Sequence, residues 1–197
     1  MSAQTLHDIA AIMAIIAAIG VVAMVVARLV PSVPTVRLLD VLYRFQLPLL
    51  AVVTVTATLG SLTFSEHYGW IPCRFCWYQR TMMFPLAVIL LIAAIRRDRA
   101  IKWYATALAT IGFLLSTYHV LIERGVIGES KECKATTPCA IPNLISFGGR
   151  DELTLQPTGF PAITLAVMAL CGFAAVLALL LLPQPLEEDE DGQPEAS

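Results

Sequence analysis

The chain has 197 residues, 57% of them hydrophobic and 14% charged, with a net charge of −2 and a mean hydropathy of +0.74. Soluble domains carry about 45–50% apolar and about 25% charged residues, so this composition excludes a soluble globular protein and indicates a membrane protein. No basic run coexists with a soluble surface, which excludes nucleic-acid binding.

The first apolar run covers about residues 9–30, enough for a bilayer core that takes about 20 helical residues. The eight residues before it contain no Lys or Arg and end in Asp8. A cleavable signal has a positive leading region and a shorter apolar core, so a retained helix is expected. Residues 31–45 contain Pro31, Pro34, Arg37, Asp40 and Arg44 and form a short basic connection, with a surface helix expected at 36–45. The second run, 47–64, carries Gly60 and several threonines suited to helix packing. A brief loop, 65–72, holds Glu66, His67 and Trp70. The third run, 73–95, contains Pro85, which predicts a kink. A tight basic turn of Arg96, Arg97, Asp98, Arg99 and Lys102 leads to the fourth run, 103–122. A long polar loop, 123–159, precedes the fifth run, 160–182. Within that loop, residues 141–147 are apolar and are expected either to lie on the membrane or to pack on the loop. The acidic tail, 187–197, is expected to be disordered.

Seven of the thirteen basic residues fall in the connections 28–46 and 96–102. Short loops rich in Lys and Arg face the cytoplasm. Five spans then put the first residues outside and the tail inside. Four of the five cysteines, Cys73, Cys76, Cys133 and Cys139, lie in connections on the external side, and Cys171 lies alone in the last run, where packing is expected. An external face favours disulfides.

If 73–95 is one helix, Cys73, Cys76 and Arg80 stand at i, i+3 and i+7 on one face. The cysteines then occupy the first turn, where unpaired N–H groups favour a thiolate. Arg80 sits about a turn deeper, where a charge needs a partner or a task. Zinc would require four ligands from two pairs separated by two membrane helices, so no metal is expected. Haem attachment needs a histidine after the second cysteine, and Trp77 stands there. Redox exchange and inert structural disulfides remain.

The stretch Cys73-Arg74-Phe75-Cys76-Trp77-Tyr78-Gln79-Arg80 resembles the signature of the DsbB/BdbC family of bacterial membrane thiol:quinone oxidoreductases. The resemblance extends over about residues 38–182. It includes the close pair Cys133 and Cys139 with Pro138, Tyr118-His119 at the outer end of the fourth run, and a last helix led by Pro161. It implies an all-α, antiparallel four-helix bundle in the membrane. Here an additional N-terminal helix precedes it, making five spans. The expected organisation is 1–35 for that helix and its linker, 36–184 for the redox bundle with external loops 65–72 and 123–159, and 185–197 for the tail.

The resemblance also implies an electron relay. A DsbA-like thioredoxin-fold protein would reduce Cys133–Cys139, the electrons would pass to Cys73–Cys76, and Cys76 would reduce a quinone, ubiquinone or menaquinone. Arg80 would polarise the quinone and stabilise the Cys76 thiolate. His119 would bind the quinone or move a proton, unless it is an interfacial residue satisfied by water. Location in a bacterial inner membrane, in contact with lipid and the quinone pool, follows. A vitamin K epoxide reductase-like protein carries its Cys-x-x-C after its loop pair, the reverse of the order here. A non-enzymatic scaffold stapled by disulfides leaves Arg80 unexplained.

Overall fold

A computed structural model of the chain describes residues 3–128, 139–140, 149–150, 157–158 and 163–183. Cys133, the apolar stretch 141–147 and the tail 187–197 lie outside the described residues. The expected helical membrane bundle is what forms. Helix α1 spans Ala3–Leu29, α2 Val33–Arg44, α3 Gln46–Leu62, α4 Arg74–Arg96, α5 Lys102–Glu123 and α6 Leu165–Leu180. A two-residue antiparallel ladder joins β1 (Gly149–Arg150) to β2 (Pro157–Thr158). Among the described residues, α1, α3 with its extension, α4 and α5 are long and apolar enough to cross a membrane. Helix α6 has 16 residues. At 1.5 Å per residue it is about 24 Å long, and apolar Ile163, Leu181 and Leu182 flank it outside the helix.

The core lies where α3, α4, α5 and α6 pack together, around Leu50, Met83, Leu86, Leu90, Phe173 and Val176. Large apolar side chains such as Ile16, Val52, Val88 and Leu114 face outward, as lipid contact requires. Small residues let the helices approach. At Gly112 of α5 the approach is closest: a Cβ there would collide with the fully buried ring of Phe173. Gly112→Ala is therefore expected to destabilise the bundle by about 1–3 kcal/mol, the usual cost of overpacking. Unfolding in detergent measures this, and adding Phe173→Leu should recover most of the loss.

Several boundaries differ from expectation for local reasons. Helix α2 begins at Val33 because Pro34 falls in its first turn, where no donor is needed, and the Thr35 hydroxyl accepts from Ser32 N–H at 2.8 Å. The α3 chain continues through a π-helical turn, Thr63–His67, so the loop begins only at Tyr68. Pro85 sits inside one continuous α4. Arg97 ends that helix in the left-handed region, with φ 56°.

The two ends of the bundle are tied differently. At the end holding the basic connections, Gln46 donates to the Leu179 carbonyl at 2.5 Å and Arg28 donates to the Leu181 carbonyl at 2.8 Å. Arg99 donates to Gln46 Oε1 and stacks 4.1 Å from the Tyr43 ring centroid. Cations and amides thus satisfy carbonyls that a helix C-terminus leaves open. The other end holds the cysteines.

Candidate active site

The segment through Pro72 arrives extended, and Cys73 caps α4. Its Sγ accepts from the Cys76 N–H at 3.2 Å, the role a Ser or Asp usually plays. Cys73 therefore lies just before the helix, and Cys76 occupies its first turn. The two sulfurs are 2.7 Å apart.

His119 of α5 is buried, with Nε2 3.6 Å from Cys73 Sγ and Nδ1 3.3 Å from the Gln79 amide nitrogen. An amide nitrogen only donates, so in the neutral ring Nδ1 accepts and Nε2 carries the proton that points at Cys73. The Cys139 backbone also hydrogen-bonds this ring. Cys139 is 1% exposed and packs with Cys73 and Ile122, bordered by Phe75 and Cys76. Three of the four expected redox cysteines thus come together.

The hydrogen bond to Cys76, together with burial, pushes the Cys73 thiol well above its ordinary range, while the His119 contact pulls it down. Cys73 therefore keeps its proton through neutral pH. A thiol held protonated in the folded state adds stability below its ordinary pKa of 9.0 and loses it as pH rises beyond. The reduced protein is expected to melt progressively earlier above pH 9, relative to the oxidised protein, which lacks this titration. Melting both forms across that range checks it.

Arg80 is 9% exposed, and its Nε and Nη2 donate to Ser61 Oγ at 2.9 Å and the Ser61 carbonyl at 2.8 Å. Its guanidinium carbon lies 5.3 Å from the Trp77 ring centroid. Beside it lies a slot of about 280 Å³ between α1, α3, α4 and α6. Cys76, Gln79, Arg80 and Ser61 line its polar part; alanines, Val53, Phe84 and Phe173 line the rest. Cys76 borders this slot, whereas Cys73 and His119 are not among its lining residues. An apolar slot with a buried cation and a cysteine at one part can hold an apolar ligand that carries polar oxygens.

Two residues escaped the sequence reading. Glu123, assigned there to the loop, is the last residue of α5 and is buried. Thr164 donates to its Oε2 at 2.6 Å while capping α6 by accepting from Val167 N–H at 3.3 Å. The signal was its i+4 spacing from His119 on an otherwise apolar helix. Gln79, adjacent to Arg80, was likewise passed over.

The ligand atoms of Cys73, Cys76 and His119 lie within 4.8 Å of one another. Among the described residues these are three donors, one fewer than a closed structural zinc site takes.

Residues 43–183 match the family model described as disulfide bond formation protein DsbB. A probable disulfide formation protein of Deinococcus radiodurans is 37% identical over 132 residues, 67% of this chain and 84% of the relative. Disulfide bond formation protein C of Bacillus subtilis is 38% identical over 133 residues, 66% of this chain and 86% of the relative. A probable disulfide formation protein C 2 of Bacillus anthracis is 30% identical over 146 residues, 74% and 95% of the two chains. No solved structure matches significantly.

Proposed function

Because the chain belongs to the DsbB family of disulfide bond formation proteins, we propose that it is a thiol:quinone oxidoreductase that reoxidises a DsbA-like thioredoxin-fold protein. It is a multi-pass membrane oxidoreductase of disulfide formation, with a thiol–disulfide oxidoreductase as partner. The finer reading rests on one observation: Cys73 packs on Cys139, while its neighbour Cys76 borders the slot that holds Arg80.

The exchanges then run in order. A partner thiolate attacks Cys133 in the Cys133–Cys139 disulfide, and Cys139 leaves. The partner's second thiol breaks the mixed disulfide, so the partner departs oxidised and the outer pair is left reduced. The Cys139 thiolate attacks Cys73 in the Cys73–Cys76 disulfide, and Cys76 leaves as thiolate beside the slot. Cys133 then attacks Cys139, which restores the outer disulfide and frees Cys73. Two electrons and two protons have moved inward. A quinone, ubiquinone or menaquinone, held by Gln79 and Arg80 would supply the oxidant that takes them and returns Cys73–Cys76 to a disulfide. His119 orients the Cys73 sulfur, and its Nε2–H donates to the Cys73 thiolate as that sulfur is freed, with Glu123 one turn away on α5.

The cysteine end faces outward from a bacterial inner membrane and the basic end faces the cytoplasm, in keeping with the Lys and Arg distribution. Residues 36–184 form the redox unit, α1 is an addition, and 185–197 form the tail.

The test uses purified protein in detergent with a reduced DsbA-like protein and a soluble quinone. Quinone loss in step with dithiol oxidation is expected. Untouched quinone in a folded sample, across several thioredoxin-fold partners, sinks the proposal in favour of structural disulfides.

A further inference from the structure

The slot beside Cys76 has a wall that the matched segment 43–183 does not include. Helix α1 is docked along α6 and tied at both ends. At the cysteine end His7 is fully buried, its ring edge-on to Phe64 at 6.3 Å between centroids. At the other end Arg28 holds the Leu181 carbonyl. Between these ties Ala10, Met13, Ala14 and Ala17 line the slot. Their spacing of i, i+3, i+4 and i+7 is one helix face. Ile12, Ile16 and Ile19 are exposed on the same helix.

Three of the four wall residues are alanines, so the wall is shallow and leaves room. From Cys76 to Phe84 of α4 the slot descends about 12 Å at 1.5 Å per residue, away from the charged and amide groups into surroundings that are apolar except for Thr56. A ring bound beside Arg80 would therefore send its chain down against α1.

We infer that α1 is a tail-selecting wall: Ala10, Met13, Ala14 and Ala17 determine which isoprenoid tails the slot accepts. This rests on the quinone reading. The occupant it commits to is the tail of a lipid quinone.

The test compares wild type with Ala17→Phe, which fills the deeper part of the wall, and Met13→Ala, which only removes atoms from it. Ile16→Phe, on the exposed stripe, is the control. Two readouts serve: quinone retained per purified chain, by extraction and chromatography, and binding of a long-tailed against a tail-less quinone. Ala17→Phe is expected to lose about tenfold or more in long-tailed affinity with little change for the tail-less compound, in line with shape discrimination in apolar pockets. Met13→Ala should also change the ratio of the two affinities, and Ile16→Phe should not. An unchanged ratio in Met13→Ala and in folded Ala17→Phe overturns the inference. So does equal binding of both quinones by wild type with co-extracted phospholipid, which would make the occupant an acyl chain. If wild type binds neither quinone, the quinone reading itself falls.

Discussion

Cys76→Ala is expected to lower quinone reduction on the order of 10³-fold or more, because paired redox groups act as a unit and losing one disables both. The variant should still be reactive on its other side. Cys73 remains packed on Cys139, and without Cys76 it loses the largest influence that holds its proton. Burial still holds the proton and the His119 contact opposes it, so the Cys73 thiolate becomes more available than in the wild type. It should attack the outer disulfide and accumulate as a Cys73–Cys139 bond with Cys133 free. Non-reducing peptide mapping reads this directly. A Cys76→Ala protein that reduces quinone normally removes Cys76 from the path; one that is inactive but forms no inter-pair bond argues that Cys73 and Cys139 do not exchange.

The second large effect belongs to Arg80. Its two bonds to Ser61 hold α4 to the outer part of α3, and its buried charge borders the slot. Hydrogen bonds to charged groups contribute about 1.5–3 kcal/mol each, so Arg80→Met should raise the quinone KM by roughly 10–100-fold. Exchange between the partner and the outer cysteine pair should be little changed. Arg80→Lys should restore only part, since an ammonium cannot hold both Ser61 atoms with a planar fork. Ser61→Ala separates the two roles: it removes the 2.9 Å bond and keeps the charge. A steady-state series over quinone concentration decides it. Equal damage from Ser61→Ala and Arg80→Met would make Arg80 a structural tie alone.

Much of this architecture was legible because hydropathy is written locally. The long apolar runs became α3, α4 and α5 within two residues of their expected limits, and α1, expected from residue 9, begins at Ala3. The spacing that put Cys73, Cys76 and Arg80 on one face holds for Cys76 and Arg80, which line the same slot. Cys73, expected in the first turn, stands just before α4 as its cap and meets α5. Where reading failed, the deciding partner was distant. Ser65, Glu66 and His67 read as a loop, yet Phe64 stacks on Trp70 at 4.7 Å and the chain keeps coiling through a π turn. The last helix begins at Leu165 rather than 160, where Thr164 caps it against Glu123 from a helix forty residues earlier. The meeting of Cys139 with Cys73 and His119 is likewise a tertiary event. No local pattern around Cys139 announces it.

Helices α1 and α6 run parallel, since the C-terminal ends of both meet at the Arg28–Leu181 bond. Soluble reporters fused ahead of α1 and after α6 would consequently reside in different compartments. A tag that matures only under reducing conditions would suit one junction and fail at the other. Purification handles placed at the two junctions would likewise be exposed to different proteases in intact cells.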